Sequence, residues 1–341
     1  MKEFIIEQKD SGQRIDKYLL RIMPEASKSF LYKMMRKKNI VINDKKIEGN
    51  EIINIGDSVK VWFSDETFNK FAGIHQIDTI EFENAFNNIN GVEILYEDDN
   101  FVVLSKPVGV LSQKASSSDY SLNEWLIGYL LTNKSVSSES LTTVKPSIVN
   151  RLDRNTSGIV LAAKTVYGLN ILSSMIKERL IKKYYLTYVN GKLSGESLLE
   201  GYHLKDDSAN KVSIIAKQDF DKLNENQKSA YVEVKTFYKV LFNKSFSIDD
   251  YNIDISKVEI DLITGKSHQI RAHMASIGHY LIGDDKYGNS DLNKRLGQKY
   301  QLLHAYKVVF PVDEKLGNLS GKEIICQHSN QEDFEARFLR N

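Results

Sequence analysis

A reversal of charge divides this chain. Between residues 27 and 46, seven side chains are basic (Lys28, Lys33, Arg36, Lys37, Lys38, Lys45 and Lys46) and one, Asp44, is acidic. Between 65 and 100, nine are acidic and only Lys70 is basic. At 341 residues the chain is also longer than one typical domain. The two blocks therefore predict a small N-terminal module at 1–64, a linker at 65–90 and a large domain at 91–341 that starts near Gly91.

Apolar residues make up 41% and charged residues 27%, an ordinary globular balance. No apolar run approaches the roughly 20 residues needed to span a bilayer. The first residues, MKEFIIEQKDSG, carry acids where a signal peptide has an apolar stretch. The expectation is a cytoplasmic protein with no membrane partner, and a monomer. Cys326, the single cysteine, excludes an intramolecular disulfide, a cysteine-cluster zinc site and an iron–sulfur cluster. Neither Gly-x-Gly-x-x-Gly nor the phosphate-cradling P-loop pattern occurs, so no nucleotide cofactor is implied.

In the small module, Ile15, Tyr18, Leu19 and Ile22 have helical spacing. A second helix carries Phe30, Leu31, Met34 and Met35 on one side, with a cap in 27–29. Ile40 to Ile42 reads as a strand, Asn43-Asp44 as a turn, and Val59 to Phe63 as a further strand. The basic block on this module is either a solvated helix face, the commoner meaning of such a run, or a surface that neutralises phosphates.

The large domain mixes strands and helices irregularly. Phe101 to Lys106, Ile159 to Ala163, Tyr184 to Val189, Val258 to Ile263 and Leu302 to Phe310 read as strands. Val166 to about Arg179 and His268 to Ile277 read as helices. Nine serines in 112–141 suggest a surface insertion around one helix, Leu122 to Leu131. The fold class is α+β, with an extended, mainly antiparallel mixed sheet flanked by helices.

Three stretches are able to carry chemistry. In Asn150-Arg151-Leu152-Asp153-Arg154-Asn155-Thr156-Ser157-Gly158, two arginines bracket an aspartate just before a buried strand. A carboxylate between guanidiniums stays ionised and oriented, which suits a nucleophile or a stabiliser of a cationic sugar centre. A loop tied by a salt bridge is the plainer alternative. The second stretch runs from Thr264-Gly265-Lys266-Ser267-His268-Gln269-Ile270-Arg271 to His273 and His279. Histidine spacings of five and six do not match a zinc-binding helix, so no metal is expected; Arg271 more naturally reaches a carboxylate or phosphate. In the third, Lys183-Tyr184-Tyr185-Leu186-Thr187-Tyr188, a tyrosine either packs in a sheet or faces a cleft, where it can stack on a base or move a proton.

In this order the three stretches resemble the motifs of the large-subunit ribosomal RNA pseudouridine synthase family. Arg151 to Gly158 matches the aspartate loop. Lys183, Tyr185, Leu186, Val189 and Gly191 match the tyrosine strand. Thr264, Gly265, His268 to Arg271, His273 and Ser276 to His279 match the arginine motif. Lesser matches are Tyr96-Glu97-Asp98, Lys106-Pro107, Gly283-Asp284 with Tyr287-Gly288, and Leu303-His304-Ala305. The N-terminal module resembles a small RNA-binding domain first known from a ribosomal small-subunit protein, through Arg14 to Leu19, the basic second helix, Val41 to Asn43 and Gly56-Asp57.

The resemblance implies isomerisation of uridine to pseudouridine in structured RNA, most naturally large-subunit ribosomal RNA, without cofactor or metal. The target nucleotide is expected to flip out of its stack. Asp153 would attack the anomeric carbon or remove a neighbouring sugar proton, and Arg271 would pair with it. Tyr185 would stack on the uracil and take part in removing the proton from carbon 5. Arg151 would fill the vacated space. Lys28, Lys33, Arg36, Lys37, Lys38 and Lys45 would contact RNA. Two positions depart from the family pattern, Asn150 where histidine is usual and Lys266 where arginine is usual, and they put substrate detail in question. A transfer RNA target, a non-catalytic ribosome-assembly protein and a glycoside hydrolase using Asp153 are the competing readings; the last usually needs a second flanking acid.

Overall fold

The computed structural model describes residues 1–341 apart from 74–76, 207, 249–250, 328, 330 and 340–341. Eight elements make the N-terminal unit: β1 (Lys2–Ile5), β2 (Gln13–Arg14), α1 (Ile15–Ile22), α2 (Lys28–Arg36), β3 (Ile40–Ile42), β4 (Lys45–Lys46), β5 (Ile52–Ile53) and β6 (Ser58–Val61). Antiparallel strands run in the order β1-β6-β3-β4, and β2 pairs with β5. Ile15 and Leu19 on α1, and Leu31 and Met35 on α2, are four residues apart, so each pair faces inward onto Ile40, Val59 and Val61. Ser27 caps α2 by accepting from the Phe30 amide at 3.2 Å. Asn43 and Asp44 have φ of 49° and 60°, the backbone a two-residue hairpin between right-twisted strands requires.

The stretch read as a linker holds two helices, α3 (Asp65–Ala72) and α4 (Ile80–Asn88). Phe68 and Phe71 of α3 pack on the N-terminal core, Phe71 with its ring centroid 4.6 Å from that of Phe30. From α4, Phe82 packs with Ile127 and Leu141 of the large unit. The acids on these helices hide short apolar stripes at helical spacing.

The large unit continues with β7 (Glu93–Glu97), β8 (Phe101–Lys106), α5 (Leu122–Thr132), α6 (Ser138–Thr143), β9 (Ser147–Ile148), β10 (Ser157–Ala163) and α7 (Val166–Lys177). Next come β11 (Lys182–Asn190), β12 (Glu196–Asp206), β13 (Lys211–Ile215), α8 (Lys217–Asp221), α9 (Glu225–Lys228), β14 (Val232–Ile248) and β15 (Tyr251–Asp261). The last elements are α10 (Gln269–Ser276), α11 (Ser290–Leu296), β16 (Leu303–Val309), β17 (Glu323–Ile325) and α12 (Glu332–Phe338). One sheet runs β13-β12-β14-β15-β11-β16-β10-β8-β7, with β17 on β16 and β9 on β10. β10 and β16 pair in parallel; the other strands of this sheet pair antiparallel. The class is therefore α+β, a mixed sheet flanked by helices, as expected.

Both faces of the central strands are covered. Val102, Leu104, Val160 and Ala162 point toward α5 and α10, whereas Phe101, Val103, Ile159 and Leu161 point toward α7. That is why β8 and β10 read as unbroken apolar runs. The serine-rich stretch is not a surface insertion around α5. That helix is apolar nearly all round and buries Leu122, Trp125, Leu126, Ile127 and Leu130, so it belongs to the core. Among the described residues, no helix is long and apolar enough to cross a membrane. The two units meet where Asn170 of α7 donates to the Gly12 carbonyl at 3.0 Å.

Candidate active site

Asp153 lies in the turn between β9 and β10, and long-range contacts fix that turn. Gly158, with φ of 111°, sits where β10 meets β16; a Cβ there would lie 2.2 Å from the Ala305 carbonyl oxygen. Only glycine permits that approach. Next to it, Ser157 Oγ meets His304 Nδ1 at 2.8 Å. Ser112 Oγ accepts from the Leu152 amide at 3.0 Å and donates to the Leu152 carbonyl at 2.8 Å, clamping the residue before the aspartate. Asn150 Oδ1 accepts from the Leu161 amide at 2.7 Å.

Behind the loop lies Lys106, fully buried at the end of β8. Its ammonium donates to the carbonyls of Pro107, Val110 and Arg154 at 3.0, 2.9 and 3.1 Å. Burial pushes its pKa down to about 7, with the charge of Asp153 acting in the opposite sense.

The arginines flanking Asp153 in sequence do not hold it. Arg154 donates to the Gly109 carbonyl at 3.0 Å, and exposed Arg151 reaches toward Gln113 Oε1 at 3.5 Å. Successive residues of an extended turn point apart, so adjacency in sequence indicates the wrong partners. The cation that pairs with Asp153 comes from α10: Arg271 Nη1 lies 3.0 Å from Asp153 Oδ2. The same guanidinium grips Asp284 through two bonds, Nε to Oδ2 at 2.7 Å and Nη2 to Oδ1 at 2.8 Å. Asp284 is fully buried, and its Oδ1 also accepts from the Lys286 and Tyr287 amides. Burial works against the charge of Arg271, but Asp284 and then Asp153 outweigh it, so the guanidinium is held charged. On Asp284 burial also opposes ionisation, and Arg271 with the two amides overcomes it, holding the carboxyl below its usual range. Asp153 keeps 28% of its side chain exposed, so it faces a reachable surface while anchored on one side.

Tyr185 on β11 is nearly buried in the core beside β15 and β16. A β-bulge against β16 falls between Tyr184 and Tyr185, a device that re-aims side chains beside sites. Burial, and then the charge of Asp153, pushes its phenol pKa up, so it stays neutral at ordinary pH. The three histidines of the arginine stretch engage separate partners: His268 Nδ1 meets Tyr287 Oη at 3.0 Å, His273 Nδ1 meets Thr236 Oγ1 at 2.9 Å, and His279 Nδ1 meets the Asn190 carbonyl at 2.7 Å.

The fold thus brings a partly exposed carboxylate, a doubly anchored guanidinium and a neutral buried phenol to one place. Residues 100–276 match the family model described as RNA pseudouridylate synthase. This chain belongs to that family. The matched span takes in Asp153, Tyr185 and Arg271 but stops short of Asp284. The synthase is 31% identical to the ribosomal large subunit pseudouridine synthase C of Rickettsia bellii, over 87% of this chain and 89% of that one. It is 28% identical to the protein of that name from Haemophilus influenzae, over 91% of this chain and 87% of that one. Human RNA pseudouridylate synthase domain containing 4 shares the fold, with a TM-score of 0.54 and 18% identity over 75% of this synthase and 94% of the human chain.

Three contributors carry no role that sequence alone assigns: Lys106, Asp284 and Tyr287. Each lies in a short stretch of lesser likeness, which marks the position without naming the partner it meets in the fold.

The basic residues of the N-terminal unit, Lys28, Lys33, Arg36, Lys37, Lys38, Lys45 and Lys46, are all exposed. Lys28 lies 3.7 Å from Asp16, and Asp44, the acid within the block, is taken by Lys60 at 2.7 Å. Among the described residues the other six form no ion pair.

Proposed function

We propose that this synthase converts uridine to pseudouridine in large-subunit ribosomal RNA in the cytoplasm, acting as a monomer with Asp153 as its catalytic carboxylate. The observation that carries the reading is the 3.0 Å pair between Asp153 and Arg271, on a carboxylate that keeps 28% of its side chain exposed. The names of the similar proteins, both large-subunit ribosomal enzymes, support the choice of RNA. Residues 1–64 serve as the RNA-docking module and the rest as the catalytic domain.

The reaction breaks the bond from uracil N1 to the anomeric carbon, turns the base, and joins that carbon to uracil C5. The C5 proton leaves and N1 gains one, so no oxidant or co-reactant is needed. Asp153 acts on the ribose at or beside the anomeric carbon, with Arg271 holding it in position. A flipped uridine supplies the access this requires, at roughly a few kcal/mol of lost stacking. Arg151, exposed beside the loop, fills the space the base vacates. Tyr185 is suited to stacking on the uracil as a neutral ring and to hydrogen bonding at its edge. Lys28, Lys33, Arg36, Lys37, Lys38 and Lys45 hold phosphates.

The test is tritium release from 5-tritiated uridine in large-subunit ribosomal RNA. Wild type releases it and Asp153→Ala does not; undiminished release by the variant refutes the assignment. Pseudouridine mapping in a deletion strain identifies the RNA: loss confined to transfer RNA overturns the ribosomal target.

A further inference from the structure

His268 holds a backbone conformation that few residues other than glycine adopt, with φ of 53°, at the entry to α10. That conformation presents its ring to two groups at once. On one side, Nε2 lies 3.8 Å from Asp153 Oδ2, the oxygen that Arg271 Nη1 also contacts. On the other, Nδ1 lies 3.0 Å from the Tyr287 hydroxyl. The Val212 amide of β13 donates to that hydroxyl at 2.8 Å. With one lone pair so occupied, the hydroxyl turns its own proton toward Nδ1. The neutral imidazole then carries its proton on Nε2, facing the carboxylate.

We propose that His268 is a positioning residue for the reaction, donating its Nε2 proton to Asp153 Oδ2 when RNA fills the site, with Tyr287 and Val212 fixing the tautomer. The free-state separation of 3.8 Å is longer than a hydrogen bond, and such contacts commonly tighten only in the substrate complex. Arg271 bonds Oδ2 and His268 faces the same oxygen, which leaves Oδ1 for the sugar. Burial favours the neutral ring; Asp153 and Asp284 pull toward the cation, while Arg271 and Lys286 oppose it. The chain of contacts also gives the β12–β13 hairpin a purpose, since β13 supplies the amide that orients Tyr287.

The inference rests on Asp153 being the catalytic carboxylate, so Asp153→Ala is measured alongside. Single-turnover tritium release from saturating 5-tritiated large-subunit ribosomal RNA gives the rate of the chemical step, and filter binding gives RNA affinity. His268→Phe and His268→Gln carry the same backbone strain, but only glutamine offers a donor at comparable reach. His268→Phe lowers the rate roughly ten- to hundred-fold, the worth of one hydrogen bond to a charged group, with RNA affinity within about two-fold. His268→Gln recovers most of the rate. Tyr287→Phe, which frees the tautomer, costs about three- to ten-fold. Equal losses in the two His268 variants, a loss that lies in affinity, or wild-type rates for His268→Phe overturn the role. If His268→Phe does not fold, Tyr287→Phe at the wild-type rate overturns it. Tritium release by Asp153→Ala sinks the underlying reading; no release by Asp153→Ala beside full activity of the His268 variants sinks this inference alone.

Discussion

At the scale of single residues, the site is a carboxylate whose orientation is set by groups more deeply buried than itself. Arg271 makes one contact to Asp153 and two to Asp284, so its position is decided by the fully buried partner rather than the partly exposed one. Asp284→Asn leaves the guanidinium short of an anion in a dry environment, and breaking a buried pair in this way costs about 3–5 kcal/mol. Urea unfolding at pH 7 is expected to show that loss. Because the native carboxyl titrates below the unfolded one, this stabilisation is present above the ordinary aspartate range and disappears as pH falls through the depressed native value. The variant therefore loses its deficit relative to wild type in strong acid, and a deficit that persists there counts against the ion pair as its source. Asp153, Tyr185 and Arg271 are legible in the sequence because each stands in a dense motif. The cation that adjacency alone suggests for Asp153 is the wrong one: the flanking arginines serve loop and surface, and the partner is 118 positions away.

Elements carry their own lessons. Strongly periodic segments, α1, α2, α7, β8, β10 and β11, can be found from spacing, because packing and local pattern agree there. α5 reads as a surface helix and is a core one, since flanking serines outweigh the apolar run between them. The polar strands β12, β13 and β14 escape a reading by pattern; their exposed faces alternate weakly, and pairing with neighbours rather than burial defines them. α10 offers a test of its own, as its buried face holds His273 against Thr236. Burial, and secondarily His203, pushes the imidazole pKa down to about 4. Between the ordinary histidine value of 6.5 and about 4, the unfolded chain binds a proton that the native protein does not. Stability thus falls as pH drops across that window, by on the order of 2 kcal/mol from this group. His273→Gln is expected to be less stable at pH 7 but to lose less on acidification, read as urea midpoints at pH 7, 5.5 and 4.5. An identical pH slope in both proteins rules out His273 as the source of the acid sensitivity.

Across the whole molecule, a unit with an exposed basic surface is joined to a unit with the candidate catalytic groups, and the chain's net charge of +1 conceals this polarity. Binding through phosphates makes affinity fall with salt, by a logarithmic slope of about 0.7–0.9 per contact. Replacing Lys33, Arg36, Lys37 and Lys38 with alanine is expected to weaken binding of large-subunit ribosomal RNA and to flatten that slope by up to about three, with little change in the single-turnover rate at saturating RNA. An unchanged slope assigns the block to a solvated face instead. The charge reversal that suggests two units also misleads at their junction, where α3 and α4 bury phenylalanines among the acids.

The parallel seam between β10 and β16 has a bearing on how the enzyme is born. Ser157 pairs with a histidine 147 positions downstream, so the edge beside the turn bearing Asp153 is completed only by that late strand. The strand that completes this edge of the site is thus among the last to be synthesised, and pairing over so long a sequence separation is slow to form.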